Sequence, residues 1–471
     1  MIPIEQVKQI LNEALRNGGD LAELYVEDCK TLTLGLDDGR LERAVRGNDT
    51  GGGVRVFYGN TVAYAYTDDM SLEALKNAAR AASAAARTTN QPRVAVDLTQ
   101  RTSPLLFNIE KQFSQMRTEE KAAQLRAMNV AAREFSPLVA QVSLGYAETE
   151  RRIAVYNSDG VWAEDERNML EFRCGVTALR DGVRQIAGSG MGGQIGLELI
   201  DHRDPIAFAK MQAHHAVNML DTKPAPAGEM TAVVPNGWGG VLFHEACGHA
   251  FEADFVSKGA SAYTELFGEQ IANPILSAYD DGTIPGRRGS MRFDDEGTPS
   301  QRTPLIENGK LTSFMWDLTE ARRVGRTSTG NGRRESFRHM PMPRMTNTFI
   351  DNGPHDPQEI IESVKYGIYC KRMGGGQADI ARGDFVFKVA EGWMIEDGKL
   401  TYPVRGATLV GNGPAVLKQI DMVGNDLALD PGKGRCGKMQ SARVSVGQPT
   451  VRIPKITVGG TDKEISGAMG Y

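Results

Sequence analysis

The sequence predicts an α+β fold in two domains: an N-terminal α+β domain with antiparallel strands over residues 1–223, and a β-rich C-terminal domain over 224–471 that carries one histidine-bearing helix. Three observations predict it. A chain of 471 residues exceeds a single hydrophobic core. Before residue 221, helical apolar spacing alternates with short period-two runs closed by tight turns; after 228, glycine-rich, strand-like segments dominate. Between the halves, Asp221-Thr222-Lys223-Pro224-Ala225-Pro226-Ala227-Gly228 reads as a linker, because paired prolines break both element types and little apolar surface is present.

Ile4, Val7, Ile10, Leu11 and Leu15 repeat at helical spacing, so residues 4–17 form a helix that stops at Asn17-Gly18-Gly19. Residues 22–27 and 31–36 alternate as strands up to the turn Asp37-Asp38-Gly39. After Gly51-Gly52-Gly53, the run Val54, Val56, Tyr58 meets Val62, Tyr64, Tyr66 across the tight turn Gly59-Asn60, completing a β-meander. The Ala-rich stretch 71–87 and residues 117–134 are helical; strands follow near 138–147, 151–157, 169–179 and 184–190, then a helix over 203–220. Beyond the linker come a strand over 231–234, the turn Gly237-Trp238-Gly239-Gly240 and a helix from Val241. Strands at 304–307, 311–316, 385–389, 393–395 and 408–411, with a turn at Asn308-Gly309, make the second half β-rich.

Composition is that of an ordinary globular chain, with 41% hydrophobic and 24% charged residues. A net charge of −5 and a pI near 5.9 give no general attraction to nucleic acid. No window approaches eighteen uninterrupted apolar residues and the amino terminus lacks an apolar core, so neither a membrane span nor a leader is expected. The five cysteines, at 29, 174, 247, 370 and 436, are scattered and odd in number. That excludes a disulfide framework as the expectation and points to the cytoplasm.

His244-Glu245-Ala246-Cys247-Gly248-His249 carries the chemistry, since two imidazoles and a carboxylate within six residues are parts of a hydrolytic metal site. Histidines five apart stand roughly 140° apart on an ideal α-helix, too far to share an ion. A one-residue π-bulge would bring them onto one face, and Gly248 lets the backbone leave helical geometry cheaply. The motif therefore reads HExxxH. A third donor must come from elsewhere. Cys436, among the cations and glycines of Gly432-Lys433-Gly434-Arg435-Cys436-Gly437-Lys438, ranks first; Glu252 comes second, with a role behind the ligands more natural to it, and Asp254 third. Cys247 lies on another face and reads as core.

Other features read more plainly. Gly374-Gly375-Gly376-Gln377 and Gly411-Asn412-Gly413-Pro414 lack a phosphate-loop lysine and read as turns or close backbone approaches. Asp280-Asp281-Gly282 and Asp294-Asp295-Glu296-Gly297 lack a calcium-loop pattern and read as solvated loops. In Arg333-Arg334-Glu335-Ser336-Phe337-Arg338-His339, Arg338 and His339 could face a substrate carbonyl, with structural ion pairing as the competing reading.

Taken together, these residues resemble the TldD/PmbA peptidases, once labelled modulators of DNA gyrase. The resemblance spans most of the chain: the histidine motif with Glu252-Ala253-Asp254, the loop near 287–297, Pro341-Met342-Pro343-Arg344-Met345-Thr346-Asn347-Thr348, Gly374-Gly375-Gly376-Gln377, Met422-Val423-Gly424-Asn425-Asp426, Cys436-Gly437-Lys438 and Val458-Gly459-Gly460-Thr461. Because the family's inactive subunits lack the histidine motif, the chain is similar to the catalytic, TldD-type member. The resemblance implies Zn2+ held by His244, His249 and Cys436, and Glu245 as general base. It implies hydrolysis of unfolded or small peptides, and a heterodimer with a TldE/PmbA-type inactive subunit or a homodimer. Two rival readings remain at this stage: a metal-free cysteine hydrolase using Cys436, and a non-enzymatic regulator that binds a partner, as the old label suggests.

Overall fold

The computed structural model describes residues 2–85 and 93–460. Residues 86–87 of the expected second helix, and Thr461, lie outside the described residues.

Helix α1 (Ile4–Leu15) buries Val7, Ile10, Leu11, Ala14 and Leu15, the stripe that its spacing requires. Strands β1 (Leu21–Asp37), β2 (Arg40–Tyr58) and β3 (Thr61–Thr67) form the meander, followed by α2 (Leu72–Ala84). The expected break at 28–30 is absent. Those residues pair with β2 on one side and with a second strand over 150–152 on the other, so two ladders hold β1 straight. Gly51, Gly52 and Gly53 likewise lie inside β2 rather than before it: a Cβ on Gly51 would stand 2.3 Å from the Phe337 ring, and one on Gly53 1.9 Å from the Tyr64 hydroxyl. The bare positions admit Phe337 of the C-terminal half beside Tyr64 of β3.

After the two-residue β4 (Thr99–Gln100) come α3 (Thr118–Glu134), β5 (Val139–Asn157), β6 (Val161–Arg180) and β7 (Val183–Gly193), then α4 (Leu199–His202) and α5 (Pro205–Asn218). The two strands expected at 138–147 and 151–157 are one strand, β5, paired throughout with β6. One seven-stranded sheet results, ordered β3-β2-β1-β5-β6-β4 with β7 also on β6. Helices α3 and α5 cover part of it through Leu125, Met128, Phe208 and Ala213.

The C-terminal half is β-rich. Five strands pair in a closed ring: Gly228–Val234, Val451–Gly459, Ala407–Asn412, Asp384–Glu396 and Tyr366–Ala378, the last returning to the first. The segment expected as a linker joins this sheet. Lys223–Pro224 pairs in parallel with Val404–Arg405, and the buried Ala225 donates its N–H to Arg405. Proline is tolerated there because the strand is at an edge. Residues 311–316 are not a strand: only Lys310–Leu311 pairs as one, and Met315 instead exchanges backbone hydrogen bonds with Phe251 and Ala253, just past the histidine motif.

The acidic loops are buried, not solvated. Asp280 is 2% exposed and accepts hydrogen bonds from Thr346, Thr348 and Asn331. Asp295 is 1% exposed and takes Arg167 at 2.7 Å. Enough donors converge to replace water around each carboxylate. Arg55 of β2 is fully buried between Glu23 of β1, at 2.6 Å, and Glu296 of the second half, at 2.7 Å. Among the described residues no helix is long and apolar enough to cross a membrane.

Candidate metal centre

The histidine motif lies in a helical stretch buried except at Glu245. Val241, Leu242, Phe243, Ala246, Cys247, Ala250 and Phe251 belong to the C-terminal core. Its geometry changes twice in eleven residues: α-helical over Val241–Phe243, a π-turn over His244–Gly248, and 3-10 over His249–Phe251. The His249 N–H donates to the His244 carbonyl, the five-residue hydrogen bond that brings the two histidines onto one face. Surrounding contacts select this shape. A Cβ at Gly248 would stand 2.5 Å from Met345 Sδ, and one at Gly413 2.4 Å from the Ala246 carbonyl oxygen. Burying each large apolar side chain contributes about 1.5–3 kcal/mol, enough to offset the poorer hydrogen bonding of a π-turn.

Cys436 arrives from the far end of the chain on a hairpin, Arg435–Lys438 against Gln440–Arg443, closed by Met439 in the left-handed conformation (φ 57°). Its Sγ lies 3.2 Å from His244 Nε2 and 3.1 Å from His249 Nε2. The three donor atoms all lie within 4.8 Å of one another and all three residues are buried. The imidazoles meet edge to face, with centroids 5.2 Å apart and planes at 77°. Two imidazole nitrogens and a sulfur converging on one point suit zinc in their chemistry and spacing.

Glu252 stands behind His249. Its Oε2 accepts from His249 Nδ1 at 2.9 Å and faces Lys438 Nζ at 3.0 Å, while its other oxygen lies 3.6 Å from Arg344 Nε. Arg344 also donates to the Cys436 carbonyl at 2.8 Å, and Lys438 bridges to Asp254 at 2.9 Å. One buried network thus ties the sulfur-bearing hairpin to the histidine motif. The electrostatics follow from it. Burial drives Glu252 upward, but His249, Lys438 and Arg344 outweigh it and hold the carboxylate at about 2. Burial also raises Cys436, yet the two imidazoles bring it down to about 5, favouring the thiolate, which is the form that ligates metals. His249 is raised well above its ordinary value; burial opposes this, and Glu252 and Cys436 overcome it.

Glu245 differs from the histidines in being 32% exposed at its side chain, with Oε2 3.7 Å from His249 Nε2. It is a carboxylate at the rim of the donor triad, open to solvent. Cys247 points elsewhere, its Sγ accepting from the Tyr263 hydroxyl at 3.3 Å, and burial pushes the thiol up to about 12.

Of the sequence-predicted residues, the fold brings His244, Glu245, His249, Cys436, Glu252 and Asp254 together. Arg338 instead forms an ion pair with Asp49 of β2 at 2.5 Å, and His339 meets Ser336 at 3.0 Å; neither hydrogen-bonds a motif residue among the described residues. Arg344 and Lys438 were not singled out in the sequence. Both stand inside segments that carry the family resemblance, and Lys438 is two residues from Cys436, which was the available signal.

Comparison with known proteins gives consistent matches. Sequence models of the PmbA/TldA metallopeptidase match in three parts: domain 1 over residues 22–86, the central domain over 111–220 and the C-terminal domain over 227–460. A protein of Haemophilus influenzae named Metalloprotease TldD homolog is 39% identical, covering 94% of this chain and 93% of its own. One of Methanothermobacter thermautotrophicus named Metalloprotease is 31% identical over 94% and 96%. Among solved structures, TldE from Thermococcus kodakarensis superposes with a TM-score of 0.77 at 19% identity, covering 97% of this chain and 100% of its own. A putative modulator of a DNA gyrase from Thermotoga maritima gives 0.78 at 20%, over 97% and 99%. At those identities the structural likeness speaks for the fold alone.

Proposed function

The chain belongs to the TldD/PmbA family of metallopeptidases, and from that premise we propose that it is a zinc-dependent peptidase acting on unfolded or small peptides. The observation that carries this reading is the meeting of His244 Nε2, His249 Nε2 and Cys436 Sγ within 4.8 Å, beside a partly exposed glutamate. These three side chains would hold the metal. When bound, zinc supplies Lewis acidity, lowering the pKa of a water towards ~7 and polarising the scissile carbonyl.

The remaining steps belong to the chain's own groups. Glu245, alone among the motif's polar side chains in reaching solvent, would accept the proton of the attacking water and return it to the leaving amine. Glu252 keeps the Nδ1 edge of His249 occupied, so that Nε2 faces the sulfur. An extended peptide held against the β-rich half by main-chain hydrogen bonds would favour unfolded chains over compact ones. Burial of the thiol, 2% exposed, argues against Cys436 as a free nucleophile.

Metal analysis of the purified protein, with hydrolysis of an unfolded peptide before and after chelation, tests the reading. One zinc per chain and chelator-sensitive cleavage restored by zinc are expected; full cleavage by metal-free protein would overturn it. The reading includes pairing with a TldE/PmbA-type subunit or with itself, which light scattering of the chain alone and with such a subunit checks.

A further inference from the structure

A second concave site lies between the two halves of the molecule, on the hairpin that carries Cys436. It is a cavity of about 200 Å3 lined by seven arginines and only three carboxylates, in a chain whose overall charge is −5. Two of the three are paired, Glu27 with Arg151 at 3.0 Å and Asp295 with Arg167 at 2.7 Å; the third, Glu335, accepts the Ser441 N–H at 2.8 Å, and Glu171, outside the lining, takes Arg288 at 2.7 Å.

Arg333, Arg435 and Arg443 are left with neutral acceptors: the Met345 carbonyl at 2.6 Å, Ser441 Oγ at 2.8 Å and Thr149 Oγ1 at 2.8 Å. None forms an ion pair among the described residues. The Nε–H groups of Arg151 and Arg288 are buried with no acceptor. Burial is the main cause that lowers Arg333 and Arg443 to about 10; Asp295 opposes it at Arg333 while Arg167 and Arg344 add to it, and at Arg443 Arg288 and Arg151 add to it, so the cavity is uncomfortable for the charges it holds. Crowded cations with unused donors need an oxyanion.

The position says whose oxyanion. Arg435 precedes the sulfur ligand in sequence, and Ala442, the cross-strand partner of Cys436, lines the cavity too. Arg333 holds the carbonyl of Met345, whose sulfur packs on Gly248 of the histidine motif. The volume is well below that of a drug-sized site and suits one amino-acid residue.

We propose that this cavity binds a carboxylate of the peptide substrate, with Arg333, Arg435 and Arg443 as the recognising groups, so that peptides bearing a correctly placed negative charge are preferred. The proposal rests on the peptidase reading given above. The carboxylate is either the chain terminus or an acidic side chain, and the test separates the two.

The probe is a set of hexapeptides in which one Asp moves along an otherwise neutral sequence, each made with a free or an amidated C terminus, and each Asp with an Asn counterpart. On the zinc-loaded full chain, kcat/KM is expected to be at least about tenfold higher for one placement of the carboxylate than for its neutral counterpart, as charge-assisted hydrogen bonds imply. Loss of the preference on amidation assigns the terminus; loss on Asp→Asn assigns the side chain. The preference should shrink in Arg443→Gln and Arg333→Gln and persist in part in Arg443→Lys. Equal rates across the set with the unmodified protein would overturn the proposal, whether or not the variants fold. Calorimetric binding of the same peptides to zinc-loaded Glu245→Gln removes any dependence on turnover. Tighter binding of the carboxylate peptides, without hydrolysis by the parent protein, would leave the cavity assignment standing and sink the peptidase reading; equal binding would sink the cavity assignment alone.

Discussion

Glu252 Oε2 lies 2.9 Å from His249 Nδ1, and this buried pair orients the imidazole whose opposite edge faces the Cys436 sulfur at 3.1 Å. A carboxylate in that place fixes the tautomer and raises the basicity of the ligand. Glu252→Gln is therefore expected to weaken metal affinity by about 10–100-fold while leaving the ligands in place. Competition against a chromophoric chelator measures this, and an unchanged affinity would remove Glu252 from the support of the site.

Glu245→Gln separates proton transfer from metal binding. The side chain reaches solvent at 32% exposure, so the substitution should leave metal content and Tm unchanged. Turnover should fall by about 10²–10⁴-fold, the usual contribution of a general base. A variant as active as its parent would dismiss Glu245 as the base.

His244→Ala and Cys436→Ala should each purify with little metal, because each removes one of three donors. Elemental analysis reads the outcome. Stoichiometric zinc in Cys436→Ala would transfer the third position to another group, with Glu252 the nearest carboxylate behind His249.

Gly413→Ala tests the packing that shapes the π-turn. Its new methyl would stand 2.4 Å from the Ala246 carbonyl oxygen, which is backbone and cannot swing away. A loss of about 1–3 kcal/mol is expected, with a fall in Tm of a few degrees and weaker metal retention. Thermal melts and metal content check both.

Glu391 supplies a pH signature. Burial raises this carboxyl, but His215 at 2.9 Å and Lys371 at 2.7 Å outweigh it and hold it at about 2. Its folded value lies below its ordinary one near 4.5, so its stabilisation is complete above about pH 4.5 and is lost as pH falls through about 2. The gap in urea midpoint between the parent and Glu391→Gln should be full at about pH 6 and close toward pH 2. A gap that does not change with pH would show that the pair does not stabilise the fold.

Much of this was legible in the sequence because the relevant constraints are local. Five-residue spacing between His244 and His249 forbids a shared ion on a regular helix, so a π-turn followed from arithmetic, and Gly248 marked where it could form. What the sequence hid was long-range. The glycines at 51–53 look like a strand break, and only the side chains packed over them, Phe337 on Gly51, Leu75 on Gly52 and Tyr64 on Gly53, explain why they carry none of their own. Asp280, Asp294 and Asp295 look like loop residues because their donors, among them Thr346, Gly332 and Arg167, come from elsewhere in the chain. Lys223–Pro224 looks like a linker until Val404–Arg405 lies beside it. Arg338, charged and near a histidine, looked functional and is engaged by Asp49 of the opposite half.

The guanidinium of Arg55, sealed between Glu23 and Glu296, makes the two halves of the molecule thermodynamic dependants of one another. Cutting the polypeptide near residue 223 would leave Arg55 with Glu23 alone in one fragment and Glu296 parted from its guanidinium in the other. Neither fragment should fold by itself, and calorimetry of the intact chain should record one melting event, not two.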